Sequence, residues 1–299
     1  MKDVLYKTLL EKGVLESHIL EMKETLNISE YPYEWYYDVI KEEEKNYEHV
    51  PLSKIKSLGF RGTDGISWFD HACYHGTDNI DVLRCHRAYE HLEKESLEEF
   101  HQYYKRSPVR LIHFIDDDFY AVYGDGTHRT LWAKVTGSPT IYAVVTRAKK
   151  NPAIYKAYQQ FKALEAEFNY YLKSNDLNWD RTQDYSGYSD YSSDITYKGT
   201  YLWYYPIYRP DKFESHGNLN FEMIRVWKKQ QQSFKEDYIK VLQYKKQFHT
   251  LIRLIPRKWE TKLISFFKEW SEQWRFSEGK AQLRKVGFDM FCIDRKPFS

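Results

Sequence analysis

The sequence predicts an α+β protein, with a small mixed sheet, packed helices, and helical extensions at both ends. Three observations predict it. Residues 48–149 alternate strand-like and helix-like runs, separated by glycine and aspartate turns. Residues 3–27 and 219–276 instead repeat apolar residues at helical spacing. Of the 299 residues, 42% are hydrophobic and 18% aromatic, which is ample material for a core. That length reads as two domains, or one domain with large additions. The expected division is a helical segment over 1–47, an α+β domain over 48–149, a helix plus a Tyr/Ser/Asp-rich insertion over 150–218, and a basic helical region over 219–299.

The elements follow in order. Leu5, Leu9, Leu10, Val14, Ile19, Leu20 and Leu26 recur at helical spacing, and Gly13 splits them into two short helices. A tyrosine-rich stretch after Pro32 reads as a third helix, and "HVPLSKI" as a short strand. Residues 57–83 hold four glycines and several aspartates and read as a long loop. Ser96 with Glu99 three residues on is a capping box, so a helix starts there. "VRLIHFI", the "DDD" turn and "FYAVYG" read as a strand, a turn and a second strand. "HRTLWAKVT" is a helix that ends at Gly137, and "TIYAVV" is the next strand. Residues 152–173 are a helix, "YLWYYPIY" a strand, and 219–250 and about 258–276 two more helices.

Charge is unevenly placed. Residues 218–299 hold 18 Lys and Arg against 9 Asp and Glu, a net +9, which leaves −7 for the rest of a chain whose total is +2. A basic region of this kind suits nucleic acid, self-assembly or an acidic protein partner. The 27 tyrosines and nine tryptophans bury area and also populate interfaces. No apolar run approaches the roughly 18 residues that span a bilayer, so no membrane partner is expected. The charged N-terminus has no signal-peptide pattern, and three cysteines form no disulfide framework. The expectation is a cytoplasmic protein, with a homo-oligomer as one open state.

The stretch "YGDGTHRT" carries the most chemistry. Gly124 and Gly126 permit positive φ and close approach. Asp125 or Thr127 is the expected helix cap. A helix start offers free N–H groups and the positive end of the dipole, so it attracts anions. His128 and Arg129 on that first turn are unfavourable for the helix alone and make sense beside a phosphate. The competing reading pairs Arg129 with Asp116 or Asp117 and lets His128 pack.

With its flanks, this stretch resembles the ParB/sulfiredoxin-like superfamily over about residues 48–148. The resemblance rests on "P-x-x-x-I" at 51–55, a helix, a strand pair, the Gly-rich turn with His128 and Arg129, and then Ala133, Lys134 and Gly137. It implies a phosphate-binding turn made by Gly124, Gly126, Thr127, His128 and Arg129. ParB proteins grip the phosphates of a cytidine nucleotide there. Sulfiredoxins hold ATP beside a catalytic cysteine, and ParB-like kinases of free serine hold an adenine nucleotide. Thr127 stands at the sulfiredoxin cysteine, so that chemistry is not expected. Arg84 or Arg87 would fill the place of a further ParB arginine. No helix-turn-helix pattern follows, so an ordinary chromosome-partitioning ParB is not expected. ATP, ADP or CTP, with or without Mg²⁺, are the implied ligands.

A second constellation is His71, Cys73, His75 and Cys85, whose side chains are of zinc-ligating type but follow no common zinc spacing. Asp125 is the candidate catalytic or Mg²⁺-binding acid, and Asp64, Asp70, Asp78 and Asp81 are alternative bases. Three functions remain open. One is a nucleotide-binding protein, as an enzyme a phosphotransferase or hydrolase. Another is a nucleic-acid binder that adds the basic C-terminal region. The third is a non-enzymatic interaction module, such as a phage-encoded inhibitor that clasps a host nucleic-acid-processing or defence complex.

Overall fold

The computed structural model describes residues 2–41, 44–73, 79–182, 192–205, 207, 219–272 and 279–295. The chain is an α+β protein of two units, Met1–Tyr155 and Lys156–Ser299. The four segments read from the sequence gather into these two.

The first unit opens with α1 (Lys2–Glu11) and α2 (Glu16–Glu24), parted at Gly13 with φ +88°. The tyrosine-rich stretch is helical for one turn only, α3 (Tyr31–Glu34), and then becomes strand β1 (Tyr37–Val39). Aromatic packing decides this. Tyr33 meets Phe119 at 4.7 Å and Tyr37 meets Phe114 at 4.9 Å between ring centroids, which fixes both against the sheet.

Strand β2 (Asn46–Pro51) and strand β3 (Ile55–Ser57) are divided by a 3₁₀ turn at Leu52–Lys54, so the "HVPLSKI" segment is two strands rather than one. The stretch expected to be a loop carries a 3₁₀ turn at Gly59–Arg61 and helix α4 (Trp68–Ala72), capped by the Ser67 hydroxyl. Helix α5 (Val82–Lys94) follows, with Asp81 as its cap. Helix α6 (Leu97–Lys105) begins with the Ser96/Glu99 capping box that the sequence announces. Then come β4 (Val109–Phe114), β5 (Phe119–Val122), α7 (Thr127–Val135) and β6 (Thr140–Lys150).

The sheet order is β1-β6-β4-β5-β3, with β2 also on β6. Pairs β4/β6 and β3/β5 are parallel and the others antiparallel, so the sheet is mixed. Leu5, Leu9, Ile19 and Met22 share one core with Phe100, Leu111 and Trp132. The N-terminal helices therefore complete the α+β unit instead of extending it. Trp132 on α7 is fully buried. Burying about 200 Å² of a tryptophan contributes roughly 5 kcal/mol before entropy is counted. This anchors the helix that carries the glycine turn.

The second unit contains most of α8 (Pro152–Ser174) and an antiparallel meander of β7 (Leu177–Thr182), β8 (Ser192–Tyr197) and β9 (Thr200–Tyr205). Helices α9 (Phe221–Arg253), α10 (Arg257–Glu272) and α11 (Lys280–Arg295) complete it. Phe161 meets Trp227 at 5.0 Å, and Phe168 and Trp203 each meet Phe234 at 5.6 Å. These rings join the insertion to the basic helical region. At Gly287 an added Cβ would lie 2.8 Å from the Val241 carbonyl oxygen, so glycine lets α11 approach α9 closely.

Candidate functional site

The glycine turn hangs on strand β4. Tyr123 N–H donates to the Arg110 carbonyl at 2.9 Å, and Arg110 N–H donates to the Asp125 carbonyl at 3.1 Å. Gly124 has φ +86° and Gly126 φ +104°. A Cβ on Gly126 would lie 2.5 Å from Val109 Cβ, so close packing as well as conformation requires glycine there. Gly126 is the N-cap of α7, and the first helical bond runs from Thr130 N–H to its carbonyl at 2.8 Å. The N–H groups before Thr130 have no intrahelical acceptor, and the positive end of the dipole lies with them.

No side chain caps α7, contrary to the expectation for Asp125 or Thr127. The Thr127 hydroxyl is buried and donates to the Leu58 carbonyl at 3.4 Å. Asp125 turns to Arg129 instead, at 2.8 Å.

The turn opens into a cleft of about 320 Å³. Arg61 from the 3₁₀ turn and Arg84, Arg87 and His91 from α5 line it beside Gly124, Asp125, Gly126, Thr127, His128 and Arg129. Phe100, Tyr103 and Tyr104 of α6 supply an aromatic wall. The His91 ring stacks on Tyr103, with centroids 6.1 Å apart and planes 15° apart. Two carboxylates line the cleft, and both are engaged. Asp125 is held by Arg129, and Glu95 by His91 Nδ1 at 3.1 Å. Four guanidinium groups therefore face a space with no uncommitted acid among its lining residues.

The two basic residues of the turn have structural partners. Arg129 donates to the Ser107 carbonyl and hydroxyl, each at 2.8 Å, and to the Pro108 carbonyl at 3.3 Å. It does not pair with Asp116 or Asp117, whose carboxylates accept from Lys150 and Tyr37. The Nε2 of His128 accepts the Asp81 N–H at 3.2 Å, which ties the turn to the start of α5. Burial, with the nearby Arg84 and Arg61, holds the His128 pKa below its ordinary value despite Asp81. The imidazole is therefore neutral, and Nδ1 carries its proton. Arg84 lies 3.4 Å from Asp81. Arg87 is exposed and has no ion pair among the described residues.

The other candidate acids lie elsewhere. Asp64 accepts from Ser29 N–H, Asp70 pairs with Lys2, and Asp81 caps α5. Asp78 and His75 lie outside the described residues. His71 is fully buried, and both its nitrogens are taken. Its Nε2 accepts the Thr63 N–H at 3.0 Å, and Nδ1 donates to the Ser67 carbonyl at 2.8 Å. Burial pushes the Cys73 thiol up to about 12 and the Cys85 thiol up to about 11. Among the described residues, no group of three or more His, Cys, Asp or Glu side chains is placed to hold a metal ion. Nor is any helix of the described residues long and apolar enough to cross a membrane.

Arg61 and the wall of Phe100, Tyr103 and Tyr104 do not emerge from the sequence motif. The available signal was the aromatic spacing 100, 103, 104 on one face of a capped helix, but only the fold shows what that face meets. No family model, no curated protein and no solved structure matches the chain.

Proposed function

We propose that this chain is a ParB/sulfiredoxin-like protein that binds a nucleotide or a nucleic-acid phosphate at the turn over 124–129. One observation carries the reading. The N-terminus of α7 opens into a cleft where Arg61, Arg84 and Arg87 converge beside an aromatic wall. Helix N–H groups and guanidinium groups both suit phosphate oxygens. Tyr103 and its stacked His91 offer a planar surface for a base. The proposal is one of binding. Phosphotransfer or hydrolysis would need a base, and both acids are engaged, Asp125 by Arg129 and Glu95 by the His91 ring.

Thermal shift with ATP, ADP, CTP and GTP, each with and without Mg²⁺, tests it on wild type and on Arg84→Ala/Arg87→Ala. A ligand at about 100 times its Kd adds about 2.7 kcal/mol of stability. At least one nucleotide is expected to stabilise the wild type and not the variant. No shift with any nucleotide overturns the nucleotide reading.

A second reading, the non-enzymatic interaction module, draws on α10. Trp259 and Phe266 are 53% and 59% exposed and lie seven residues apart on one helical face. A monomer by light scattering that captures no partner would remove it.

A further inference from the structure

We infer that the groove between α8 and α9 in the second unit binds the phosphodiester backbone of a nucleic-acid strand. This site is independent of the cleft in the first unit. It has a volume of about 370 Å³, with Leu164 and Glu167 of α8 on one side. Arg225, Lys228, Lys229, Gln232 and Lys235 of α9 form the other, with Gln231 beneath. Steps of three and four residues put these α9 side chains on one stripe, about 15 Å long from 225 to 235.

Two observations on different atoms point to an anionic ligand. The first is charge. Four cations meet one carboxylate, Glu167, which Lys235 already holds at 2.8 Å. Arg225 is also paired with Glu222, outside the groove, while Lys228 and Lys229 are exposed and have no ion pair among the described residues. The second is an orphan donor. Gln231 is 3% exposed, and its side-chain amide nitrogen has no hydrogen-bond partner among the described residues. A buried donor left without an acceptor is costly, and its presence calls for an explanation. An oxygen placed in this groove supplies one.

The donor set favours a phosphodiester strand over an acidic peptide. Lys and Arg only donate, and an amide nitrogen only donates. Phosphodiester oxygens only accept. A peptide would bring backbone N–H groups as well, and Glu167, already engaged, is the groove's one carboxylate. A linear row of cations also matches a strand of regularly spaced charges.

The test uses the full chain and a labelled, mixed-sequence single-stranded oligonucleotide, read by fluorescence anisotropy against salt. Lys228→Glu/Lys229→Glu is expected to weaken binding at least about tenfold and to lower the salt slope by about 2. Gln231→Leu is expected to weaken binding with an unchanged or raised Tm. Wild-type affinity in the lysine variant overturns the proposal, as does an oligonucleotide that fails to bind the wild type. Equal binding of a polyglutamate peptide replaces the strand with an acidic partner. Equal competition by inorganic pyrophosphate replaces it with a small-anion site.

Discussion

His128 and Asp81 are joined by one hydrogen bond, from the Asp81 backbone N–H to His128 Nε2 at 3.2 Å. The imidazole can accept that bond only while Nε2 is unprotonated. The charge of the histidine and the position of α5, which carries Arg84 and Arg87, are therefore coupled.

The sign of the pH effect follows from that coupling. Burial and the neighbouring Arg84 lower the folded pKa of His128 below the unfolded value near 6.5. In the window between the two, the unfolded chain binds more protons. Stability is therefore full above about pH 6.5 and is lost as pH falls toward the folded value. Buried His71, also shifted down, contributes with the same sign. His128→Gln keeps a neutral acceptor for Asp81 and should lose less stability than wild type between pH 7.5 and 5.5 in urea titrations. An identical loss would show that His128 does not titrate as described.

The two turn glycines should differ in cost. Both have positive φ, which alone costs a Cβ-bearing residue about 1–2 kcal/mol. At Gly124 an added Cβ meets open space, whereas at Gly126 it strikes Val109. Overpacking adds about 1–3 kcal/mol. Gly124→Ala is expected to lose about 1–2 kcal/mol and Gly126→Ala about 2–5 kcal/mol by chemical denaturation. Equal losses would mean that Val109 does not support the turn.

Arginines of the cleft divide into two kinds. Arg129 satisfies the carbonyls of Ser107 and Pro108, so Arg129→Ala should cost about 1–3 kcal/mol of stability. Arg87 is exposed without an ion pair among the described residues, so Arg87→Ala should stay within about 0.5 kcal/mol of wild type. If the proposed site holds phosphate, that second variant should still lose about tenfold in nucleotide affinity. Calorimetric titration beside urea unfolding separates the two effects.

Some of this site was legible in the sequence because its signals are local. Ser96 and Glu99 announce α6, and Gly124 and Gly126 announce a turn, since caps and positive φ leave marks within a few residues. Arg129 was legible as a cation at a helix start, but its carbonyl partners at 107 and 108 were not. Helix α4 was hidden because glycines and aspartates flank it, and its burial comes from Trp68 and Phe69 meeting distant core residues. Strands β7 and β8 carry polar side chains that mark a surface as readily as a loop. Helix α11 needed Gly287 against α9, a contact between segments about 40 residues apart. Arg61 joins the cleft only through tertiary structure.

Lys134 offers the sharpest test of burial. It is 5% exposed, its ammonium donates to the Ile55 carbonyl, and it lies 4.1 Å from the centre of the Trp68 ring. Desolvation brings its pKa down from 10.5 to about 8. Between those values the unfolded chain holds the proton and the folded chain has released it. Stability from this group therefore rises as pH climbs from about 8 to about 10.5 and is flat outside that window. At 1.36 kcal/mol per unit the rise is of order 3 kcal/mol. Cys73 and Cys85 work the other way, since burial raises their thiols and the folded chain then keeps protons longer. The raw pH curve mixes these signs, so the variant supplies the comparison. Lys134→Met keeps the aliphatic stem and removes the charge. Wild type minus Lys134→Met stability, measured by urea unfolding from pH 7 to 10.5, should increase toward alkaline pH. A flat difference would mean that the ammonium is solvated and that the contact with Ile55 and Trp68 is not formed in solution.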